Sequence, residues 1–382
     1  MPDGPVATPA ITSRSTLSRV EVGVVPLGSV VYDGQTLPLA SPDGRFIAVQ
    51  EGEAPTWEVM LAEPGAQMPV RTGLAVYQIG DDRTVTRVEP SQPLPPGLVL
   101  GRAADDEGFL VEAPQANGSR WIGHVSWLGR LRWYVQSPAV NAHATLTPRG
   151  ELLYSRRAIE AEGCDLVVRT REGQESVRPA EGGSYLYPMC TSDISLVYAL
   201  RLSEVGIELE AIRLDRLSAD GPVRLGGTVF RRAVQPQPDR LTAHQMAATV
   251  QPALPARAGV PGGDPTLAIL HPRLGRMAAL RLDSSAFEPL APESISAAAS
   301  RDAARPGFYC TTPDGLVFVP AGERPNKPEV TTVRVLASPY IPRRITGSPE
   351  SMLLLGPVKG RPDALELVRL IIGPDAAAPP QD

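Results

Sequence analysis

An all-β chain, folded as a β-propeller of seven blades (six being the alternative) and closed by its N-terminal strand, is what this sequence predicts. Three observations carry the prediction. A turn-and-strand phrase recurs along the chain, its recurrence intervals match the length of one blade, and proline and glycine interrupt nearly every stretch long enough for a helix.

The phrase is clearest at Ser41-Pro42-Asp43-Gly44, followed by Arg45-Phe46-Ile47-Ala48-Val49. It returns as Thr312-Pro313-Asp314-Gly315 before Leu316-Val317-Phe318-Val319, and as Thr147-Pro148-Arg149-Gly150 before Glu151-Leu152-Leu153-Tyr154. Proline presets φ for the second turn position, Ser or Thr hydrogen-bonds back to the turn, and glycine accepts φ > 0 at its end. The apolar, partly β-branched residues that follow suit a buried strand. Degenerate copies lie at Asp105-Asp106-Glu107-Gly108, Thr191-Ser192-Asp193 and Ser348-Pro349-Glu350-Ser351.

Glu107, Arg149 and Asp193 are 42 and 44 residues apart, and Asp314 to Glu350 is 36. A four-stranded blade takes about 40–45 residues, so each interval fits one blade. Asp43 to Glu107 is 64, which requires a long loop, and Asp193 to Asp314 is 121, which requires a hidden blade and an insertion.

Proline (41) and glycine (35) make up about a fifth of the 382 residues, spread as punctuation. Short strands joined by such turns are the pattern of all-β folds. Two short helical windows remain, 156–162 and 241–250. A formal charge of −5 argues against a general nucleic-acid binder. The basic doublets Arg156-Arg157, Arg231-Arg232 and Arg343-Arg344 are scattered and read as solvated strand ends. Cys164, Cys190 and Cys310 lack CxxC spacing and match no metal pattern, although Cys164 and Cys190 fall in neighbouring repeats and a disulfide between them is possible. No run approaches the ~20 apolar residues needed to span a bilayer. No signal peptide is evident, so the expected location is cytoplasmic, or periplasmic or secreted if a leader was removed.

The expected organisation is a flexible lead (1–16), a single propeller domain (17–372) and a disordered tail (373–382). A first unit holds strands near 30–32 and 57–61 and a hairpin of 74–79 with 84–88. Units two to four start near Leu98, Leu131 and Ser184. The fifth contains a proline-rich insertion, 236–265, followed by a hairpin of 266–270 with 276–282. The sixth covers 295–336. The last, 343–372, lacks a fourth strand, and segment 18–25 is expected to supply it by pairing with 364–372.

The residues Ser41-Pro42-Asp43-Gly44-Arg45-Phe46-Ile47-Ala48-Val49 resemble the repeat of the TolB-like propellers, and 312–319 resembles it nearly as well. The resemblance implies a six- or seven-bladed propeller that docks other proteins. Some peptidases carry such a propeller beside a hydrolase domain, but no Gly-x-Ser-x-Gly elbow is present here. The WD40 repeat is a poorer match, since Trp-Asp is absent and Gly-His occurs once, at Gly123-His124.

The sequence assigns no catalytic, cofactor-binding or metal-ligating residue and no cofactor. His124 reads as a strand-surface residue, His143 as a residue able to face the central channel, and His244 and His271 as residues without a specific role. Asp43 and Asp314 read as turn formers rather than acids. Trp121, Trp127 and Trp133 read as core packing between blades rather than a sugar-stacking platform. The expected function is a non-catalytic, monomeric scaffold for another protein, contacted through 236–265. The alternative is an enzyme or small-ligand binder at the channel mouth, which would require ionisable residues to converge there.

Overall fold

The computed structural model describes the backbone of residues 22–31, 38–51, 73–82, 84–190, 194–216 and 221–235, and of the strands from Gln251–Ala253 to Arg361–Ile372. Side chains are described for most residues between 26 and 233 and, beyond them, for Cys310, Ala364 and Leu367. Among the described residues there are strands and turns and no helix. The short window 156–162 is not helical, because Arg156 to Ala158 complete the strand Leu152–Ala158.

The strands pair in antiparallel groups of four, in chain order. Unit one is Leu39–Ala40, Phe46–Glu51, Gly73–Ile79 and Val85–Arg87. Unit two is Val99–Ala104, Gly108–Pro114, Arg120–Ser126 and Leu131–Val135, and unit three is Ala139–Leu146, Leu152–Ala158, Asp165–Arg169 and Glu175–Arg178. A parallel bridge between Val140 and Arg120 joins these two into one sheet. Unit four is Gly183–Cys190, Leu196–Ser203, Gly206–Arg216 and Val223–Gln235. Unit five is Gln251–Ala253, Thr266–His271, Arg276–Arg281 and Phe287–Pro289, and unit six is Ser296–Ala299, Gly307–Thr312, Gly315–Pro320 and Val333–Ala337. The last unit orders Arg344–Ser348, Ser351–Val358, Arg361–Ile372 and then the N-terminal strand Val22–Val31.

First strands lie beside first strands. Leu39–Ala40 touches both Val99–Ala104 and Arg344–Ser348, while Val99–Ala104 touches Ala139–Leu146, which touches Gly183–Cys190. On the other side, Gln251–Ala253 touches Ser296–Ala299, which touches Arg344–Ser348. Small sheets therefore stand side by side with their first strands converging, as propeller blades do.

The core lies between neighbouring sheets. Leu39, Ala48 and Val76 of unit one pack with Leu100, Phe109, Val111 and Val125 of unit two. Leu153, Leu166 and Val168 of unit three pack with Tyr185, Val197, Ala199 and Ile212 of unit four. The second strands of units one to four carry consecutive buried residues and are covered on both faces, which explains runs such as Ile47-Ala48-Val49 that are apolar without alternation.

The Ser41 turn forms for the reasons its residues suggest. Gly44 donates its N–H to the Ser41 carbonyl at 2.9 Å and adopts φ +68, while Phe46 N–H donates to Ser41 Oγ at 2.9 Å. Asp43 accepts from Arg45 N–H at 3.0 Å and from the Ser41 hydroxyl. The copies at 41–44, 105–108 and 147–150 all join the first strand of a unit to its second. The copy at 312–315 does not. It follows Gly307–Thr312, the second strand of unit six, so it sits one turn later and the interval from Asp193 overstates the missing sequence.

The N-terminal strand pairs with Arg361–Ile372, from Val22 opposite Ile372 to Val31 opposite Ala364. The partner is the expected one, but the strand extends to Val31, so Val30 and Val31 belong here rather than to unit one. Pro26 is tolerated because this strand is outermost and one of its edges needs no ladder N–H. Two other boundaries shift. Leu131–Val135 closes unit two rather than opening unit three, and Gln251–Ala253 inside the expected insertion is a strand paired with Thr266–His271. Unit four's last strand runs to Gln235, up to the expected start of the insertion. Segments 1–21, 57–61, 236–250, 254–265 and 373–382 lie outside the described residues.

Leu27 and Val30 are buried against Ile47, Val49, Ala75 and Ile79 of unit one and Leu367 of the last unit. The N-terminal strand thus packs against both the last unit and the first. Leu27→Ala is expected to lower the unfolding free energy by about 2–3 kcal/mol in urea denaturation. An unchanged midpoint would show that this strand does not carry that packing.

Candidate functional site

Three consecutive first strands break register at the same place. In unit two, Leu100 pairs with Val111 and Ala104 with Phe109, so Gly101, Arg102 and Ala103 face the single residue Leu110. In unit three, His143 and Ala144 face Tyr154, and in unit four Tyr187 and Pro188 face Ala199. A bulge re-aims the side chain at its extra residue. Here the re-aimed residues are Arg102, His143 and Tyr187, and they meet.

The His143 and Tyr187 rings lie 4.0 Å apart between centroids, inclined by 35°, and the Arg102 guanidinium carbon lies 4.5 Å from the Tyr187 ring centre. His143 and Tyr187 adopt φ of 58 and 50, in the left-handed region that disfavours side chains. Glycine is required at 101, since a Cβ there would lie 2.6 Å from the Leu110 carbonyl oxygen.

The bulges free backbone groups, and neighbouring side chains take them. Glu112 Oε1 accepts the His143 N–H at 2.7 Å, and its Oε2 accepts from Arg120 at 3.0 Å. His143 Nδ1 lies 3.3 Å from Ser155 Oγ. Burial pushes the Tyr187 phenol well above its usual range, with Glu112 adding to the shift and Arg102 and Arg120 opposing it. Burial pulls Arg102 down, offset by Tyr187 and Glu112. Protein surrounds the guanidinium, yet Arg102 and His143 keep part of their surface accessible. The cluster stacks a guanidinium and an imidazole on one buried phenol ring.

Of the residues singled out in the sequence, His143 is the one placed in this cluster. His124 is buried rather than on the surface. Its Nε2 is 3.2 Å from Asp105 Oδ1 and its ring stacks on Tyr134 at 5.6 Å. His271 ends the strand Thr266–His271, while His244 and Asp314 lie outside the described residues. Trp127 stacks on Phe46 of unit one at 5.6 Å and lies 5.3 Å from Phe109 of its own unit, which is packing between blades. Trp121 and Trp133 meet edge to face at 5.4 Å and pack on the same core. Cys164, Cys190 and Cys310 are thiols. Among the described residues no group of three or more His, Cys, Asp or Glu side chains is placed to hold a metal ion, and no helix is long and apolar enough to cross a membrane.

Arg102 and Tyr187 had no readable signal. Their meeting depends on two extra residues in one strand and one in each of two others, which period-two counting does not register.

A second charged cluster joins units three and four. Glu210, fully buried, accepts from Arg178 of unit three at 2.8 Å and from Arg231 at 3.0 Å, and also takes the Thr228 and Tyr185 hydroxyls. Burial alone would raise its carboxyl, but the hydrogen bonds from Thr228 and Arg231 and the two guanidinium charges hold it below the ordinary glutamate value. A depressed carboxyl stabilises the fold above its unfolded value, about 4.3, and that contribution fades as pH falls. Glu210→Gln is expected to cost about 2–4 kcal/mol at pH 7, less than a fully enclosed pair because Arg231 is partly exposed. Denaturation across pH 3 to 7 checks this, with the gap to the parent protein narrowing below about pH 4. A gap independent of pH would contradict it.

No protein-family model matches the sequence, and no curated protein does. Solved structures match by fold. The WD40 domain of coronin from Toxoplasma gondii superposes with a TM-score of 0.54 at 8% identity, over 92% of this chain and 87% of that one. The β-propeller domain of Cps50 (Swd1) from Myceliophteria thermophila gives 0.48 at 11%, over 89% and 98%. TolB from Acinetobacter baumannii gives 0.37 at 13%, over 66% of this chain and 55% of that one. With its small sheets side by side and their first strands converging, this chain has the fold of a β-propeller.

Proposed function

We propose that the sheets form one seven-bladed ring that acts as a non-catalytic scaffold for another protein, contacted through the outer hairpin of unit four and segment 236–265. The observation that supports this reading is a mismatch in strand length. The outermost strands of units one to three have 3, 5 and 4 residues, whereas unit four ends in strands of 11 and 13.

The 13-residue strand Val223–Gln235 is the edge of its sheet and leads directly into 236–265. Its first half is covered by unit three, where Ser176 Oγ accepts the Leu225 N–H and Arg178 donates to the Gly226 carbonyl. Its second half exposes Thr228, Val229 and Arg231. A long exposed edge can receive a strand from a partner, whose backbone would complete the ladder. The alternative, a small-ligand binder, is favoured by the Arg102–His143–Tyr187 cluster.

Affinity capture with the full chain tests the scaffold reading. Both Val229→Lys, which places a charge on the edge without touching the core, and deletion of 236–250, which spares the strand Gln251–Ala253, are expected to reduce recovery of the same partner about tenfold. Undiminished recovery with both would sink the proposal.

A further inference from the structure

We propose that Asn117, at the tip of the hairpin between the second and third strands of unit two, is a site of self-modification. With Ser119 assisting, it converts to aspartate and isoaspartate through a succinimide.

The sequence sets the chemistry. The backbone nitrogen that follows an asparagine can attack its side-chain amide, one reason the residue is thermolabile. The chain holds three asparagines, followed by Gly118, Ala142 and Lys327. At Asn117 the attacking nitrogen belongs to a residue with no Cβ to shield it. Asn141 is protected by burial, its Nδ2 donating to the Arg120 carbonyl at 2.8 Å and to Ser137 Oγ at 2.9 Å.

The hairpin exposes Asn117 and activates its carbonyl. Pro114 pairs with Arg120, and the Gln115 N–H donates to the Ser119 carbonyl at 2.9 Å, which leaves Ala116 and Asn117 at the exposed tip. Asn117 Oδ1 accepts from the Ser119 N–H at 3.0 Å and from the Ser119 hydroxyl at 2.7 Å. A backbone N–H can only donate, so it fixes which amide atom is the oxygen. Ser119 is itself buried, so both donors are held in place. Fixed donors polarise the carbonyl and stabilise the charge that develops on its oxygen under attack. One contact resists the reaction. The Gly118 N–H donates to the Gln115 carbonyl at 3.0 Å, and this turn bond must open first.

In the reaction the Gly118 nitrogen gives its proton to hydroxide and bonds to Asn117 Cγ. The Cγ–Nδ2 bond breaks, and the nitrogen takes a proton from water and leaves as ammonia. Water then adds to either carbonyl of the ring and opens it, giving aspartate or isoaspartate. Both carry a new carboxylate, and the isoaspartyl form also lengthens the backbone of the tip that the Gln115–Ser119 bond closes.

Warm incubation of the full chain at about pH 8, followed by peptide mapping, tests the site. Asn117 is expected to become a mixture of aspartate and isoaspartate, with ammonia released, while Asn141 stays intact. The rate should rise about tenfold per pH unit, because the nitrogen reacts deprotonated. Ser119→Ala should slow it about 2- to 10-fold by removing the hydroxyl donor. An Asn117 that stays unmodified overturns the proposal. So does an undiminished rate in Ser119→Ala with its β-sheet circular dichroism retained. Should that variant fail to fold, modification of Asn141 ahead of Asn117 in the parent chain, or a rate independent of pH, overturns it equally.

Discussion

Buried polar side chains reaching from the second strand of one sheet to the first strand of the next are the constraint on which this architecture depends. Gln50 is fully buried in the second strand of unit one, and its amide replaces a length of missing ladder. It donates to the Leu98 carbonyl at 3.1 Å and to the Gly73 carbonyl at 3.0 Å, and accepts the Leu100 N–H at 2.7 Å. Glu112 repeats the device one sheet on, taking the His143 N–H. Between units three and four the task passes outward, to Arg178 with Glu210 and to Arg216 with Glu151. Apolar packing between sheets is non-directional, whereas these bonds fix one sheet's height against its neighbour. A buried amide or carboxylate left unpaired would cost several times what the bond contributes, so the register is enforced by penalty.

The same constraint links the scaffold to its candidate site. Because Glu112 takes the His143 N–H, the first strand of unit three can leave its own ladder and bulge. That bulge, with its counterparts at Arg102 and Tyr187, accompanies the placing of Arg102 and His143 against the Tyr187 ring. Joining the sheets and building the cluster are one structural act. Unit four, by contrast, spends its extra length on the outside, where Val223–Gln235 outruns every outer strand before it.

Much of the fold was legible because local chemistry decides it. The Ser41 turn, its recurrence and the pairing of the N-terminal strand with the last unit all follow from residues acting on near neighbours or on a missing strand. The misplacements have physical causes too. Thr312-Pro313-Asp314-Gly315 makes a good turn wherever a turn is needed, so it marks strand ends without saying which strand. His124 looked like a surface residue because alternation sets it opposite Trp121, but it is buried by its own unit, against Asp105 and the Tyr134 ring. Arg102 and Tyr187 were invisible, since a bulge adds residues that alternation cannot count.

Hydrogen exchange resolved to single amides tests the sheet-to-sheet bonds most directly. In Gln50→Ala the Leu100 amide should exchange at least about 10-fold faster, reflecting the loss of a buried bond, while amides within Phe46–Glu51 keep their protection. Leu100 protection equal to that of the parent chain would contradict the account, because its N–H would then be satisfied by something other than the neighbouring sheet.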